Sequence, residues 1–212
     1  MSTPPPEHAD RLNDRIDRLP LRERKKLKTR RAIQDHALRL FTEQGYDATT
    51  VEQIAAAAEI SPSTFFRYFP TKEDVVIDDE YDPVMAEAYR AQPAELSPID
   101  ALRTMLAELL PELHGPDLEK LHARLRLITD VPALRARMFE SMSTGTCAML
   151  RDVVADRTGR PADDADVGTF AWAVTGVLHA AVYQWLDGSG GSAGLAAVID
   201  RNLEFLGRGC PL

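Results

Sequence analysis

Nine consecutive residues, Ser61-Pro62-Ser63-Thr64-Phe65-Phe66-Arg67-Tyr68-Phe69, hold three hydroxyls, a guanidinium, a phenol and three phenyl rings. Hydroxyls and a guanidinium are the groups that read base edges and phosphates. Arg pairs bidentately with guanine, Thr donates, accepts or touches a thymine methyl, and Ser is small enough for the backbone to come close. A helix advances about 100° per residue, so with Ser63 at zero, Arg67 falls near about 40°, Thr64 near about 100° and Tyr68 near about 140°. Phe65, Phe69 and Phe66 then fall near about 200°, 240° and 300°. The segment is expected to anchor itself through three rings and to present its polar edge outward. A merely solvated polar face is the competing interpretation.

The neighbouring elements must hold that edge in place. Ser61 is a cap residue and Pro62 occupies the first helical position, where its missing N–H costs nothing. Just upstream, Thr49 with Glu52 three residues later has the form of a capping box. Val51, Ile54, Ala55 and Ala58 line one face of the short helix that follows, which ends near Glu59. A longer helix starts at Arg22, carries Ile33, Ala37, Leu40 and Phe41 on one side, and stops at Gly45. Two short helices across a tight turn of about three residues make a helix-turn-helix. A fourth helix is predicted to open at Thr71 as cap, with Lys72 first and Asp74 third. A cation at a helix start opposes the dipole, and a bound phosphate would offset this.

Charge is divided unevenly along the chain. The net charge is −8, yet residues 22–72 hold ten Lys and Arg against six Asp and Glu, leaving fifteen against twenty-seven elsewhere. A basic N-terminal module attached to an acidic body suits a local phosphate-binding surface.

Residues from about Lys28 to Val76 resemble the DNA-binding domain of the TetR family of bacterial repressors. The residues that carry this are Gly45, Tyr46, Thr49, Thr50, Val51, Ile54, Ala55, Ala58, Ile60, Ser61, Thr64, Phe65, Phe66, Tyr68, Phe69, Lys72 and Glu73. The resemblance implies three helices, the second and third forming the helix-turn-helix, followed by a long linking helix. It also implies phosphate contacts from Thr50, Ser61, Thr64, Tyr68 and Lys72, and major-groove contacts from Ser63, Thr64 and Arg67. The DNA-facing set expected from pattern and resemblance together is Thr49, Thr50, Ser61, Pro62, Ser63, Thr64, Arg67, Tyr68, Lys72 and Lys28. The chain departs from the family pattern at Ser63, where many members have Gly. It departs again at Phe66, where many have a phosphate-binding Tyr, and Tyr68 or Arg67 can compensate for that lost hydroxyl. Lys28 belongs to the basic stretch Arg22, Arg24, Lys25, Lys26, Lys28, Arg30 and Arg31, read either as further phosphate contacts or as a solvated helix start.

Downstream the periodicity stays helical, with segments expected at about 72–91, 98–113, 117–129, 132–158, 163–186 and 192–206. In the span 163–186, Val167, Phe170, Ala171, Val174, Leu178, Ala181, Val182 and Trp185 form one apolar stripe. Trp172, Gly176, His179 and Tyr183 form a second, so one side can meet its own core and the other a partner chain. The family's dimer interface, built from the last two helices, resembles this segment with Leu195, Val198, Ile199, Leu203 and Leu206. A homodimer would read two half-sites of a palindromic double-stranded DNA operator. Residues 124–137 resemble more loosely the C-terminal domain of mycofactocin-linked regulators, which implies an acyl thioester as the small-molecule effector. Arg124, Arg126, Arg135 and Arg137 can serve anionic ligand groups or simply face solvent. Tyr89, Met105, Leu109, Met138, Phe139, Met142, Trp172 and His179 are the candidate ligand-binding residues, with core packing as the alternative role for each.

The sequence thus predicts an all-α protein in three parts. These are a flexible N-terminal arm at 1–21, a three-helix helix-turn-helix DNA-binding domain at 22–71, and a C-terminal helical ligand-binding and dimerisation domain at 72–212. A ligand-responsive transcriptional repressor is expected; a helical ligand-binding or interaction module without DNA binding is the alternative. Five histidines without H-E-x-x-H spacing, and no Gly-rich phosphate loop or nucleophile elbow, argue against an enzyme. Cys147 and Cys210 stand far apart, so neither a disulfide framework nor a zinc site is expected, and no other metal or cofactor is implied. No apolar run of membrane-spanning length and no signal-peptide core is read, so a cytoplasmic protein without membrane contact is expected.

Overall fold

A computed structural model describes residues 20–78, 82–110, 116–191 and 193–212. The expected arm at 1–21 therefore lies almost wholly outside the described residues. The helices are α1 (Leu21–Gln44), α2 (Val51–Ala57), α3 (Pro62–Tyr68), α4 (Asp74–Ile77), α5 (Asp82–Arg90), α6 (Pro98–Leu109), α7 (Pro116–Asp130), α8 (Pro132–Ser141), α9 (Cys147–Thr158), α10 (Ala165–Leu186) and α11 (Leu195–Gly207). A π turn, Met142–Thr146, joins α8 to α9. Among the described residues there is no strand, as the periodicity predicts.

Two compact units divide the chain, and neither is contiguous: residues 1–80 with 115–141, and residues 81–114 with 142–212. The sequence suggests one cut after residue 71; the packing instead returns α7 and α8 to the helix-turn-helix. In the first unit α1 packs on α2, α4 and α7, α2 on α3, and α8 on α4 and α7. Ile33, Ala37, Phe41, Ile54, Phe65, Phe69, Val75, Val76 and Leu134 form its core.

The structure corrects the expected fourth helix. A helix running unbroken from 72 to 91 would place Pro83 in its interior, lacking a donor and crowding the carbonyl four residues earlier. The chain instead leaves helical geometry at Asp78 (φ −61°, ψ 123°) and begins α5 at Asp82. The backbone groups at this break are held by side chains from elsewhere in the unit. Gln34 donates to the carbonyls of Val75 and Asp78. Arg124 donates to those of Val76 at 2.6 Å and Ile77 at 2.9 Å. Helix-end carbonyls that lack intrahelical partners are thereby satisfied.

The second unit packs α5 against α6 and α9, α10 against α9 and α11, and α11 against α6. Arg157 binds the carbonyls of Tyr89, Gln92, Pro93 and Leu96, closing the end of α5 and the turn beyond it. Asp200 of α11 accepts twice from Arg103 of α6, at 2.7 and 3.2 Å. Asp164 caps α10 by accepting from the amides of Asp166 and Val167.

The sequence reading found no run of membrane-spanning length, yet α10 is long and apolar enough to cross a membrane by composition alone. It packs against α9 and α11, with Val167, Ala171, Val174, Thr175 and Ala181 buried. Its outer side exposes Ala165, Thr169, Trp172, Gly176, Ala180 and Tyr183, a stripe recurring every three or four residues.

Candidate nucleic-acid interface

The turn that presents α3 begins at α2. Thr50, not Thr49, caps α2: its hydroxyl accepts from the Gln53 amide, and the Gln53 side chain accepts from the Thr50 amide. The predicted capping box is thus present one residue later, with Gln in place of Glu at its third position. Thr49 is 1% exposed, donates its hydroxyl to the Gly45 carbonyl at 2.7 Å and accepts from Gln44. Its side chain is withdrawn from the surface, which corrects its place among the DNA-facing residues. Glu59 then takes a left-handed conformation (φ 56°) in the turn, and the Ile60 amide bonds back to the Ala55 carbonyl.

Ser61 caps α3 as expected, accepting from the Thr64 amide with Pro62 in the first turn. Its hydroxyl also lies 2.8 Å from that of Ser63 and 3.0 Å from that of Thr64. Three hydroxyls carry three protons and share two contacts, so one proton remains to donate outward. Ser61, Pro62, Ser63 and Arg67 are exposed, and Thr64 and Tyr68 are half-buried. Phe65 and Phe69 are fully buried, and removing two such rings from water stabilises by about 2 to 3 kcal/mol each. Phe66 does not join them. It is 50% exposed, which corrects the three-ring anchor to a two-ring one.

Lys72 folds back on the helix-turn-helix. Its ammonium donates to the carbonyls of Tyr46 and Thr49, at 2.9 and 3.1 Å, and lies 4.0 Å from the Tyr46 ring centre. Two carbonyl dipoles and a ring face offset the unfavourable cation at this helix start, and a third N–H of the ammonium is left for an outside acceptor. Thr71 and Asp74 cap each other reciprocally. The Tyr46 hydroxyl donates to Glu73 at 2.6 Å. Burial and the adjacent carboxylate push the phenol's pKa well up, while the Glu73 carboxyl, despite its own burial, is held below the usual range by that phenol. Lys28 stands exposed on α1.

Arg30, read as part of a DNA-binding basic stretch, has another role. Its guanidinium donates to the Tyr68 carbonyl at 2.9 Å and to Asp78 at 2.7 Å, and stacks 4.4 Å from the Phe69 ring centre. It fixes the C-terminal end of α3 to α1. The signal was available: Arg30 stands three residues before Ile33 and seven before Ala37, on the inward face of α1.

Of the central arginines, Arg126 is exposed, and the other three also bind within the first unit. Arg124 and Arg137 brace α4, the latter through Asp74 at 2.8 Å, and Arg135 donates to the Thr129 carbonyl. The eight ligand-binding candidates fall in both units. Tyr89 and Met105 are core residues of the second unit, the Tyr89 hydroxyl donating to the Pro98 carbonyl. Leu109 and Met142 are partly exposed there, and Trp172 sits on the outer stripe of α10, with the half-buried His179 two turns along at the edge of the same side. Met138 and Phe139 belong to α8 in the first unit, with Phe139 67% exposed.

Residues 33–78 match the bacterial regulatory proteins of the tetR family, and residues 96–211 match the MftR C-terminal domain. The chain is 37% identical over 154 residues to the transcriptional regulator TcmR of Streptomyces glaucescens, a match spanning 68% of this chain and 66% of that protein. Among solved structures, the FadR repressor of Thermus thermophilus in complex with lauroyl-CoA superposes with a TM-score of 0.55 at 25% identity, covering 86% of this chain and 95% of that one. FadR of Bacillus subtilis with stearoyl-CoA has the same fold, with a TM-score of 0.54 at 21% identity over 82% of this chain and 96% of its own. A capped, hydroxyl-bearing helix on a two-phenylalanine anchor, continuous in sequence with a domain of the MftR type, makes this chain a member of the TetR family of DNA-binding transcriptional regulators.

Proposed function

We propose that the chain is a ligand-responsive repressor that binds a palindromic duplex operator as a homodimer in the cytoplasm. The observation that carries this is the outer face of α3, where Ser61, Ser63, Thr64 and Arg67 stand together while Phe65 and Phe69 fix the helix from behind. Arg67 and Ser63 address base edges. Thr50, Ser61, Thr64, Tyr68, Lys72 and Lys28 hold phosphates, each neutralised phosphate steepening the salt dependence.

Dimerisation is assigned to the stripe of Trp172, Gly176, Ala180 and Tyr183 on α10, together with the 39% exposed Phe205 on α11. Exposed aromatics beside small residues let two helices approach closely and bury apolar area. The effector is an acyl thioester of coenzyme A, supported by the lauroyl-CoA complex of the Thermus protein.

The test is a gel shift of the full chain on the intergenic DNA upstream of its own gene. Binding is expected to weaken steeply with salt, to lose about 1 to 3 kcal/mol in Arg67→Ala, and to be released by lauroyl-CoA. Salt-insensitive or absent binding by the intact chain refutes the DNA-reading role, and retention of DNA at saturating lauroyl-CoA refutes the effector class.

A further inference from the structure

The outer sector of α3 contains one large group that neither carries charge nor forms hydrogen bonds. Phe66 is half exposed, and its ring meets the buried Phe65 ring edge-on, with centres 5.5 Å apart and planes at 89°. The buried ring therefore sets the direction of the exposed one. Pro62 precedes it by four residues, one helical turn, and is also exposed. Around the helix the exposed positions run Pro62, Phe66, Ser63, Arg67, from about 260° through zero to about 40°. Half of this sector is apolar and half is polar.

A major groove offers donors, acceptors and a single kind of apolar group, the 5-methyl of thymine. A phenyl ring has no hydrogen-bond donor for a phosphate, whereas a thymine methyl gains from leaving water against it. We propose that Phe66, with Pro62 beside it, is a specificity-determining residue that reads a thymine methyl next to the base addressed by Arg67. This rests on the DNA-reading role of α3 proposed above. It gives the ring a consequence that the hydroxyls and the guanidinium do not share: its contribution is blind to salt and sensitive to one methyl group.

The test selects duplexes from a pool randomised over two half-sites, using the full chain, and then replaces each recovered thymine by uracil, which removes only the methyl. The wild type is expected to lose about fourfold at one thymine per half-site, the worth of one buried methyl. Phe66→Ala is expected to lose that penalty while keeping both the Arg67-dependent preference and the slope of affinity against salt. Phe66→Leu, which stays apolar, retains part of the methyl response, and matched thermal melts show both variants folded. An unchanged uracil penalty in Phe66→Ala overturns the assignment, as does a shallower salt slope or an affinity loss that is uniform across all duplexes. A wild-type chain that recovers no motif overturns the DNA-reading role and this assignment together, whereas a motif with a Phe66-independent methyl response overturns only the latter.

Discussion

Asp74 is a carboxylate with only 2% of its side chain exposed, and both of its oxygens are engaged: one by Arg137 at 2.8 Å, the other by the Thr71 amide at 2.9 Å. Removing the cation would strand a buried charge, which is far worse than removing both partners. Arg137→Ala is therefore expected to destabilise the chain by about 3 kcal/mol, and Asp74→Asn, which keeps an acceptor for Thr71, to recover much of that loss in the double variant. Chemical denaturation of the four proteins checks this, and strictly additive losses would show the pair to be uncoupled. The same residue scale shows where sequence reasoning falls short. Which of two adjacent threonines caps α2, and whether Phe66 or only its two neighbours face inward, depends on displacements smaller than one residue's rotation. Arg137 looks like a surface cation in the sequence because nothing local names the carboxylate, 63 residues away, that it serves.

The elements themselves were legible wherever period and punctuation agree. Ser61-Pro62, Gly45 and the Asp164 cap mark their helix ends as their chemistry requires. Pro83 was the missed mark, and with it went the single helix expected across residues 72–91. On α10, period alone separates a buried stripe from an exposed one, and His179 stands between them, its ring 4.8 Å from that of Tyr183. Burial holds its pKa below the ordinary imidazole value, so the folded chain prefers it neutral and the unfolded chain takes up the proton first as pH falls. The stability tied to this group is complete above about pH 6.5 and is lost as pH falls through the imidazole range toward the folded value. The melting temperature is expected to drop more for the wild type than for His179→Phe between about pH 8 and pH 5.5. Equal drops would remove His179 from the account.

At the scale of the whole molecule, affinity for a twofold operator depends on two recognition helices being joined, so in the proposed homodimer a change on the outer stripe of α10 would be felt in operator binding by α3. Trp172→Asp introduces a charge where the proposed partner helix would desolvate it. The variant is expected to sediment as a monomer, and to lose on the order of a hundredfold in operator affinity as two linked half-site contacts become independent. An unchanged sedimentation coefficient would place the dimer contact elsewhere.

The return of α7 and α8 to the helix-turn-helix has a temporal consequence. Val75, Val76 and Ile77 are buried in a unit that includes residues 115–141, and α4 is braced there by Arg124 and Arg137. A nascent chain leaving the ribosome therefore carries its DNA-reading segment long before it holds the arginines that complete it. That half matures only after residue 141 has emerged, so a fragment ending near residue 80 is a poor cassette for grafting onto another sensor.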